Sequence, residues 1–457
     1  MIALRPYQHE LACEVIASFE VMARTNVAVL PTGGGKSVVL AYIAALEKGR
    51  VWVIAHRAEL LRQLSSALDR VDLPHGMVKA GMPFDPTQRI QVASIQTLAR
   101  RHHLMPPPDL IIYDESHHLP SKVAKATVGA YPRARVLGVT ATPCRLNGQG
   151  LGEVFQRMIL GPSARWLTDH GFLCPAEYYG PPAVANVDSL HTRAGDYAKD
   201  EMDAEMNRSV VTGDAIEHYR SICDGVPMIV FCTSVKHAKD VAQAYCDAGY
   251  RATSVDGALS DEERADRIEG LGSRYQVLTS CELIGEGLDV PCVSAVQLLR
   301  PTQSLGLFLQ MVGRALRPME GKTAYVLDHV GNVRKHGFAT TERQWTLEGR
   351  ARSKNGDAVK PVKTCLQCFL VHEPSPTCPH CGYEYPKKTK AEIESVSGSL
   401  VRMEETKEER KEALKSARSM VELIAFAKAR GYKKPVFWAR QVYYGRNHIV
   451  AMPRNHH

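Results

Sequence analysis

Three groups of residues in this 457-residue chain have the types and spacings that chemistry demands. The first is PTGGGKS, residues 31–37, set between the apolar run VAVL and the helical pattern VVLAYIAALEKG. Backbone N–H groups of such a loop, with the helix N-terminus behind it, surround phosphate oxygens. Lys36 would reach the β- and γ-phosphates and the Ser37 hydroxyl would bind Mg2+, while Thr32, Gly33, Gly34 and Gly35 line the phosphates with close backbone. The strict phosphate-loop pattern wants glycine at position 30, where this chain has Leu30. The glycines nearest the lysine are all present, so the departure lies upstream of the phosphates.

The second group is LIIYDESHH (110–118), in which Asp114 and Glu115 directly follow four apolar residues. At the mouth of a buried strand a bystander carboxylate is expensive, which separates this pair from an ordinary surface Asp-Glu. Asp114 would hold magnesium through water, and Glu115 is placed to orient or polarise an attacking water. The third group is CLQCFLVHEPSPTCPHC (365–381): Cys365, Cys368, Cys378 and Cys381 form two CxxC pairs separated by nine residues. That spacing fits one tetrahedral Zn2+ in a closed, structural site, with His372 and His380 spare. Disulfides are the competing reading, and a reducing cytoplasm disfavours them. The remaining eight cysteines are scattered, often inside apolar runs where a thiol packs as a small hydrophobe.

Elements must hold these groups in place. Short apolar runs at 27–30, 51–55, 90–94, 110–113 and 136–139 alternate with helix-like stretches, and a second series follows at 228–232, 252–255, 276–279, 293–299 and 323–328. Both read as buried parallel sheets, and the economical fold class is α/β with two lobes. Residues 180–195 are poor in periodic apolar positions and read as a connection or peripheral excursion. The expected domains are 1–165, 166–340 (connection and second lobe), a zinc-binding four-cysteine module over 341–386, and a basic helical region over 387–457. In that last region apolar residues at 414, 417, 420, 421, 424 and 427 make one helical stripe ending at Gly431. Beyond it, Lys433, Lys434, Arg440, Arg446 and Arg454 interleave with Phe437, Trp438, Tyr443 and Tyr444, with no aspartate or glutamate over 432–457. Either these grip a single strand by charge and stacking, or Pro435 starts a short helix whose aromatics pack on the preceding one.

LRPYQ (4–8), PTGGGKS (31–37), VIAHRAELLRQ (53–63), VASIQTLAR (92–100), DESH (114–117), GVTATP (138–143), IGEGLDVP (284–291) and QMVGRALRP (310–318) stand in the order of the superfamily 2 helicase motifs. The chain resembles that superfamily over roughly its first three quarters. With GFLCP (171–175) and a cysteine cluster behind the motor, it is most similar to bacterial and phage RadD-like DNA repair helicases. The resemblance implies two tandem RecA-like domains, ATP as cofactor and the following roles. Gln8 recognises the adenine, supported by Arg5 with Tyr7 nearby, and Gly287 and Asp289 meet the ribose side. Gln310, Arg314 and Arg317 enter the nucleotide site from the second lobe. His117, Thr140 and Thr142 couple the nucleotide to the strand. His56, Arg57, Gln96 and Thr97 on lobe one, with Thr233 and Ser234 on lobe two, lie along a nucleic-acid backbone. Cys281 stands where many relatives carry a strand-contacting threonine, which leaves that contact in question.

The expected activity is ATP hydrolysis driving translocation or unwinding of DNA in repair, recombination or replication. An RNA helicase, a restriction-system motor subunit and a nucleotide-gated adaptor are its rivals. A net charge of +8 favours a polyanionic partner. Single-strand binding or recombination proteins are the expected protein partners. No apolar run approaches a membrane span, and the opening residues read as an amphipathic helix, so a cytoplasmic location is expected.

Overall fold

The computed structural model describes residues 3–21, 23–145, 148–180, 192–193, 196–197, 209–281, 290–349, 361–386 and 407–446. The chain divides into two compact units, Met1–Pro386 and Lys387–His457.

The larger unit contains both sheets. Its first lobe comprises α1 (Pro6–Glu20), β1 (Thr25–Val29), α2 (Lys36–Leu46), β2 (Val51–Ala55), α3 (Ala58–Asp69), β3 (His75–Val78), β4 (Ile90–Ser94), α4 (Ile95–Arg101), β5 (Leu110–Asp114), α5 (Lys122–Gly129), β6 (Arg135–Thr140), β7 (Arg157–Leu160) and α6 (Ala164–Asp169). These strands form one parallel sheet in the order β3-β4-β2-β5-β6-β1-β7. β2 and β5 are buried along their whole length, as strands covered by helices on both faces must be. The helices cover them with amphipathic faces; α3 buries Leu60, Leu61, Leu64 and Leu68.

The second lobe has β8 (Ala176–Tyr179), the short hairpin β9 (Thr192–Arg193) and β10 (Asp196–Tyr197), then α7 (Ser209–Cys223), β11 (Met228–Phe231), α8 (Val235–Asp247), β12 (Ala252–Val255), α9 (Asp261–Glu269), β13 (Val277–Ser280), β14 (Ala295–Leu298), α10 (Leu305–Gly313), β15 (Ala324–Asp328) and α11 (Asn332–His336). Its sheet is also parallel, in the order β12-β13-β11-β14-β15-β8. Two tandem RecA-like domains are the fold. The sequence pattern passes over β3, β7 and β8 because they border the sheets: β3 buries only alternate residues and β7 only Ile159. Strands half in water carry no continuous apolar run.

After α11 the chain returns to the first lobe. Arg343 donates to the carbonyls of His336, Phe338, Ala339 and Thr341, and Gly152 N–H donates to Leu347 O at 2.7 Å. The four-cysteine segment then forms the small hairpin β16 (Lys363–Thr364) and β17 (Val371–His372). It covers the open edge of β8: Gly180 N–H donates to Phe369 O at 3.0 Å and Tyr179 bridges Leu370.

The smaller unit has helices α12 (Lys407–Ser416), α13 (Met420–Ala429) and α14 (Pro435–Arg446). The single stripe expected over 414–427 is two helices, because Ser419 and Glu422 form a reciprocal capping box that starts α13 anew. Val421, counted in that stripe, is 75% exposed. Trp438 packs in the helical core, stacked on Phe426 at 5.6 Å and edge-on to Tyr432 at 4.9 Å. Phe437 and Tyr444 remain 51% and 36% exposed.

Candidate functional site

Residues 31–35 form the turn between β1 and α2, whose first two residues are Lys36 and Ser37, with Gly33 (φ 87°) and Gly35 (φ 85°) in the left-handed region that only glycine adopts cheaply. α1 reads this turn from the side. Tyr7 Oη and Gln8 Nε2 both donate to Gly34 O, at 2.8 and 3.0 Å, and Gln8 Oε1 accepts from Arg5 N at 3.0 Å. Leu30 is wholly buried beneath the loop, and an ideal Cβ on Gly34 would lie 2.8 Å from its Cγ. The leucine plugs the core under the turn, below the three glycines.

Asp114 ends β5 and accepts from Glu115 N–H at 3.0 Å. Glu115 is one of three non-glycine residues among those described with positive φ (φ 47°, ψ 56°). Such a conformation costs energy and persists where the surroundings demand it. Its Oε1 lies 3.8 Å from Lys36 Nζ, with the two side chains only 12% and 8% exposed, and its Oε2 lies 3.4 Å from His117 Nδ1. His117 Nδ1 also meets Thr140 Oγ1 at 3.1 Å. That hydroxyl spends its one hydrogen on Thr142 O (3.1 Å) and accepts from Thr142 N–H (3.1 Å), so Nδ1 is the donating nitrogen of His117.

The second lobe supplies the other wall. α10 carries Gly306 and Gly313, seven residues apart and so on one face. An ideal Cβ on Gly306 would lie 3.1 Å from Thr142 Oγ1; one on Gly313 would lie 2.5 Å from Thr32 Cβ. Gln310 and Arg314 are buried on or just after this helix, and the Arg317 stem approaches Gly33, with its Cγ 3.9 Å from an ideal Cβ there. Lys322 Nζ donates to Arg317 O (2.9 Å) and Pro291 O (3.2 Å), and burial holds its pKa below the usual lysine value. Gly287 and Asp289 lie outside the described residues.

Sequence reasoning missed the aromatic patch beside α1. Phe172 lies 4.9 Å from Tyr7 and 5.2 Å from the Arg5 guanidinium, and Trp166 flanks it at 5.9 Å, stacked on His170 at 3.9 Å. The Phe-Leu-Cys run was visible in GFLCP, but which aromatic ring it meets is not a local property. A cavity of about 180 Å³ lies close by, lined by Thr32, Leu160, Ser163, Leu309, Leu316 and Trp345.

His56 and Arg57 follow β2, and Gln96 opens α4 with its Nε2 donating to His56 O at 3.3 Å; Thr97 is half-buried beside it. Thr233 is buried with its hydroxyl 2.9 Å from His237 Nδ1, and the Ser234 hydroxyl caps α8 by accepting from His237 N–H at 3.1 Å. Cys281 Sγ donates to Thr233 O at 3.1 Å. The two lobes also meet through an ionic latch: Arg264 pairs with Glu59, and Asp261 with Arg62 (3.3 Å) and Lys79 (3.1 Å). The lysine's hydrogen bond holds the Asp261 carboxyl below the usual range.

The sulfurs of Cys365, Cys368, Cys378 and Cys381 lie within 4.8 Å of one another, half-buried to buried. Burial pushes the Cys368 thiol up to about 12, whereas for Cys365 desolvation is overcome by the N–H groups of Cys368 and Gln367, which help bring it down to about 6. Four soft donors converging on one point fit a tetrahedral metal site. His372 turns away from it, toward Glu373 O (2.6 Å) and Tyr385 Oη (2.8 Å).

A phosphate loop, a strand-end Asp-Glu pair and a second lobe bringing Arg317 beside that loop define an ATP-hydrolysing helicase of superfamily 2. Residues 1–145 match the family described as "Type III restriction enzyme, res subunit", and residues 214–319 match "Helicase conserved C-terminal domain". The chain belongs to one family with the 51.5 kDa protein of Lactococcus phage (isolate 7-9), to which it is 31% identical over 384 residues, 82% of each chain. It is 24% identical over 354 residues to IRC3 of Saccharomyces cerevisiae, which bears the name of an ATP-dependent helicase; the match covers 72% of this chain and about half (51%) of the yeast protein. Among solved structures, a fragment assigned as an HsdR subunit of a type I restriction enzyme from Vibrio vulnificus shares the fold, with TM-score 0.58 at 21% identity over 73% of this chain and 65% of that one. No helix among the described residues is long and apolar enough to cross a membrane.

Proposed function

We propose that this helicase is a DNA motor of the RadD-like repair kind, in which closure of two lobes on ATP moves a single strand through the cleft. The observation that carries the reading is α10 laid along the first lobe, with Gly313 against Thr32 and the Arg317 stem beside Gly33. Bound ATP supplies a phosphoanhydride whose cleavage spreads charge over the transferred oxygens. Lys36, Arg314 and Arg317 would meet that charge, and an arginine so delivered is worth about a thousandfold or more in rate. Ser37 and Asp114 would hold Mg2+, Thr32 and the glycines the phosphates, and Arg5 and Gln8 the adenine, with Phe172 as its neighbour. Lys36 cannot serve Glu115 and phosphate together, so nucleotide frees Glu115 to orient water. His117, Thr140 and Thr142 already form one hydrogen-bonded unit, with His117 Nδ1 3.4 Å from the Glu115 carboxylate, which suits a coupling role.

His56, Arg57, Gln96 and Thr97 would follow the strand on the first lobe. On the second, the side chains of Thr233 and Ser234 are committed to α8, so backbone amides there are the better contact. DNA is favoured over RNA because the family matched by the first lobe is named for a restriction enzyme, a class that works on DNA. The four thiolates would hold a structural Zn2+.

ATP turnover measured with single-stranded, duplex and forked DNA and with RNA, alongside strand displacement, tests the reading. Stimulation by single-stranded or forked DNA is expected; stimulation by RNA alone overturns the substrate.

A further inference from the structure

His118 belongs to none of the roles above, yet it joins them. Its ring centroid lies 4.2 Å from that of His117 and 4.1 Å from that of His56, at interplanar angles of 42° and 49°. Three imidazoles therefore stand in one file. At one end His117 directs Nδ1 toward Glu115 Oε2 at 3.4 Å. At the other, His56 Nε2 accepts from Arg57 Nε at 3.3 Å, and His56 O accepts from Gln96 Nε2 at 3.3 Å. His56 lies at the C-terminal end of β2 and His117 just after β5, neighbouring strands in the sheet, so the file crosses one inter-strand step.

We infer that His118 is a positioning residue that transmits occupancy of the strand site at His56 and Arg57 to the water-orienting Glu115, through ring contacts with His56 and His117. The inference rests on the proposed strand path. Coupling of this kind needs an element with two arrangements that both sites bias. Glu115 is that element: a strained, nearly buried carboxylate divided between Lys36 and His117. Phosphates draw Lys36 away from one oxygen. A strand pulling on Arg57 shifts His56, and close-packed rings pass a small displacement on because there is no void between them to absorb it. Without the middle ring, the strand would still bind and ATP would still hydrolyse slowly, but the two events would be independent.

The test uses the full-length protein with His118→Ala and His118→Phe. Basal ATP turnover, its KM, single-stranded DNA affinity and maximal DNA-stimulated turnover are measured for each. For His118→Ala the expected result is stimulation reduced about tenfold, with basal turnover, ATP KM and DNA affinity each within twofold of wild type. His118→Phe, which restores a ring but no imidazole nitrogen, should recover most of the stimulation. Wild-type stimulation in His118→Ala overturns the inference, and so does an equal fall in basal and stimulated turnover, which marks a merely structural residue. Failure of Phe to rescue removes the ring-contact account. Arg57→Ala separates this from the strand path itself: unchanged DNA affinity in that variant defeats the path, whereas weakened affinity together with an inert His118→Ala defeats only the relay.

Discussion

Adding one methyl group to Gly313 tests the two-lobe mechanism at its tightest contact. An ideal Cβ there lies 2.5 Å from Thr32 Cβ and 2.7 Å from Thr32 Cγ2. Carbon atoms settle at about 3.5–4.0 Å, so α10 must retreat from the phosphate loop by about 1 Å. Neither partner is the far end of a flexible side chain, so the helix rather than a rotamer has to move. Arg314 is the next residue in the chain and Arg317 one turn further, and both move with it. Misplacement of catalytic groups by about 1 Å costs on the order of a hundredfold in rate. The second lobe itself should not suffer, because alanine is favoured over glycine in helical backbone by up to about 1 kcal/mol. Gly306 provides the internal scale: its Cβ would lie 3.1 Å from Thr142 Oγ1, a squeeze of only a few tenths of an ångström. The assay is steady-state ATP turnover with saturating single-stranded DNA, together with nucleotide affinity and thermal melting. Gly313→Ala should lose about a hundredfold in turnover, keep nucleotide binding within a few-fold and melt no earlier than wild type; Gly306→Ala should lose only a few-fold. Wild-type turnover in Gly313→Ala, or a larger defect in Gly306→Ala, would refute the reasoning.

Glu115→Gln should bind ATP normally and lose turnover by at least about a hundredfold, whereas Lys36→Ala should weaken binding itself; nucleotide titration beside a turnover assay separates the two, and wild-type turnover in Glu115→Gln removes its role. Protein purified without chelator should carry about one zinc per chain by elemental analysis; replacing Cys378 and Cys381 with serine should abolish it while basal ATP turnover survives, since each lobe has its own core. His329 is buried, which depresses its pKa to about 3. The folded state therefore binds fewer protons than the unfolded chain from pH 6.5 down to about 3, and stability is lost on acidification through that window, by on the order of 1 kcal/mol per pH unit. Denaturant unfolding of wild type and His329→Gln across that range should differ by this slope, and parallel curves would show that His329 is not buried in its neutral form.

Chemistry that is local in sequence was legible in advance, and chemistry assembled across the chain was not. Central strands such as Val51–Ala55 are buried on both faces and announce themselves as apolar runs, while β7, with one buried residue, does not. The phosphate loop and the cysteine spacing are contiguous, so their geometry follows from their order. The plug role of Leu30, the Phe172 contact with Tyr7 and the file of three histidines depend on segments tens to more than a hundred residues apart meeting in space. Two signals were nonetheless present. Ser419 and Glu422 have the spacing of a capping box inside what looked like one continuous stripe. Gly306 and Gly313 sit seven apart in a helix that is otherwise apolar except for Gln310, and a glycine that weakens a helix usually marks close approach.

Those two glycines also explain how one methyl can reach the chemistry without unfolding anything. Two of the contacts between the lobes are the glycine seam along α10 and the ionic latch that ties Glu59 and Arg62 of α3, with Lys79, to α9. β1 and β2, which lead into the two contacts on the first lobe, are three strand positions apart, as are β14 and β12 on the second. That separation is about 14 Å at the usual strand spacing. A retreat of about 1 Å at the seam is then a rotation of about 4° about the latch, from the same spacing. Ion pairs tolerate such a motion because Coulomb attraction falls gently with distance, whereas carbon packing fails within an ångström. The latch bends where the seam breaks. High salt, which weakens the partly exposed Asp261 pairs with Arg62 and Lys79, screens the nearly buried Arg264–Glu59 pair far less and leaves apolar packing intact, should therefore loosen the lobes at the rim of the latch while Arg317 stays beside the phosphate loop.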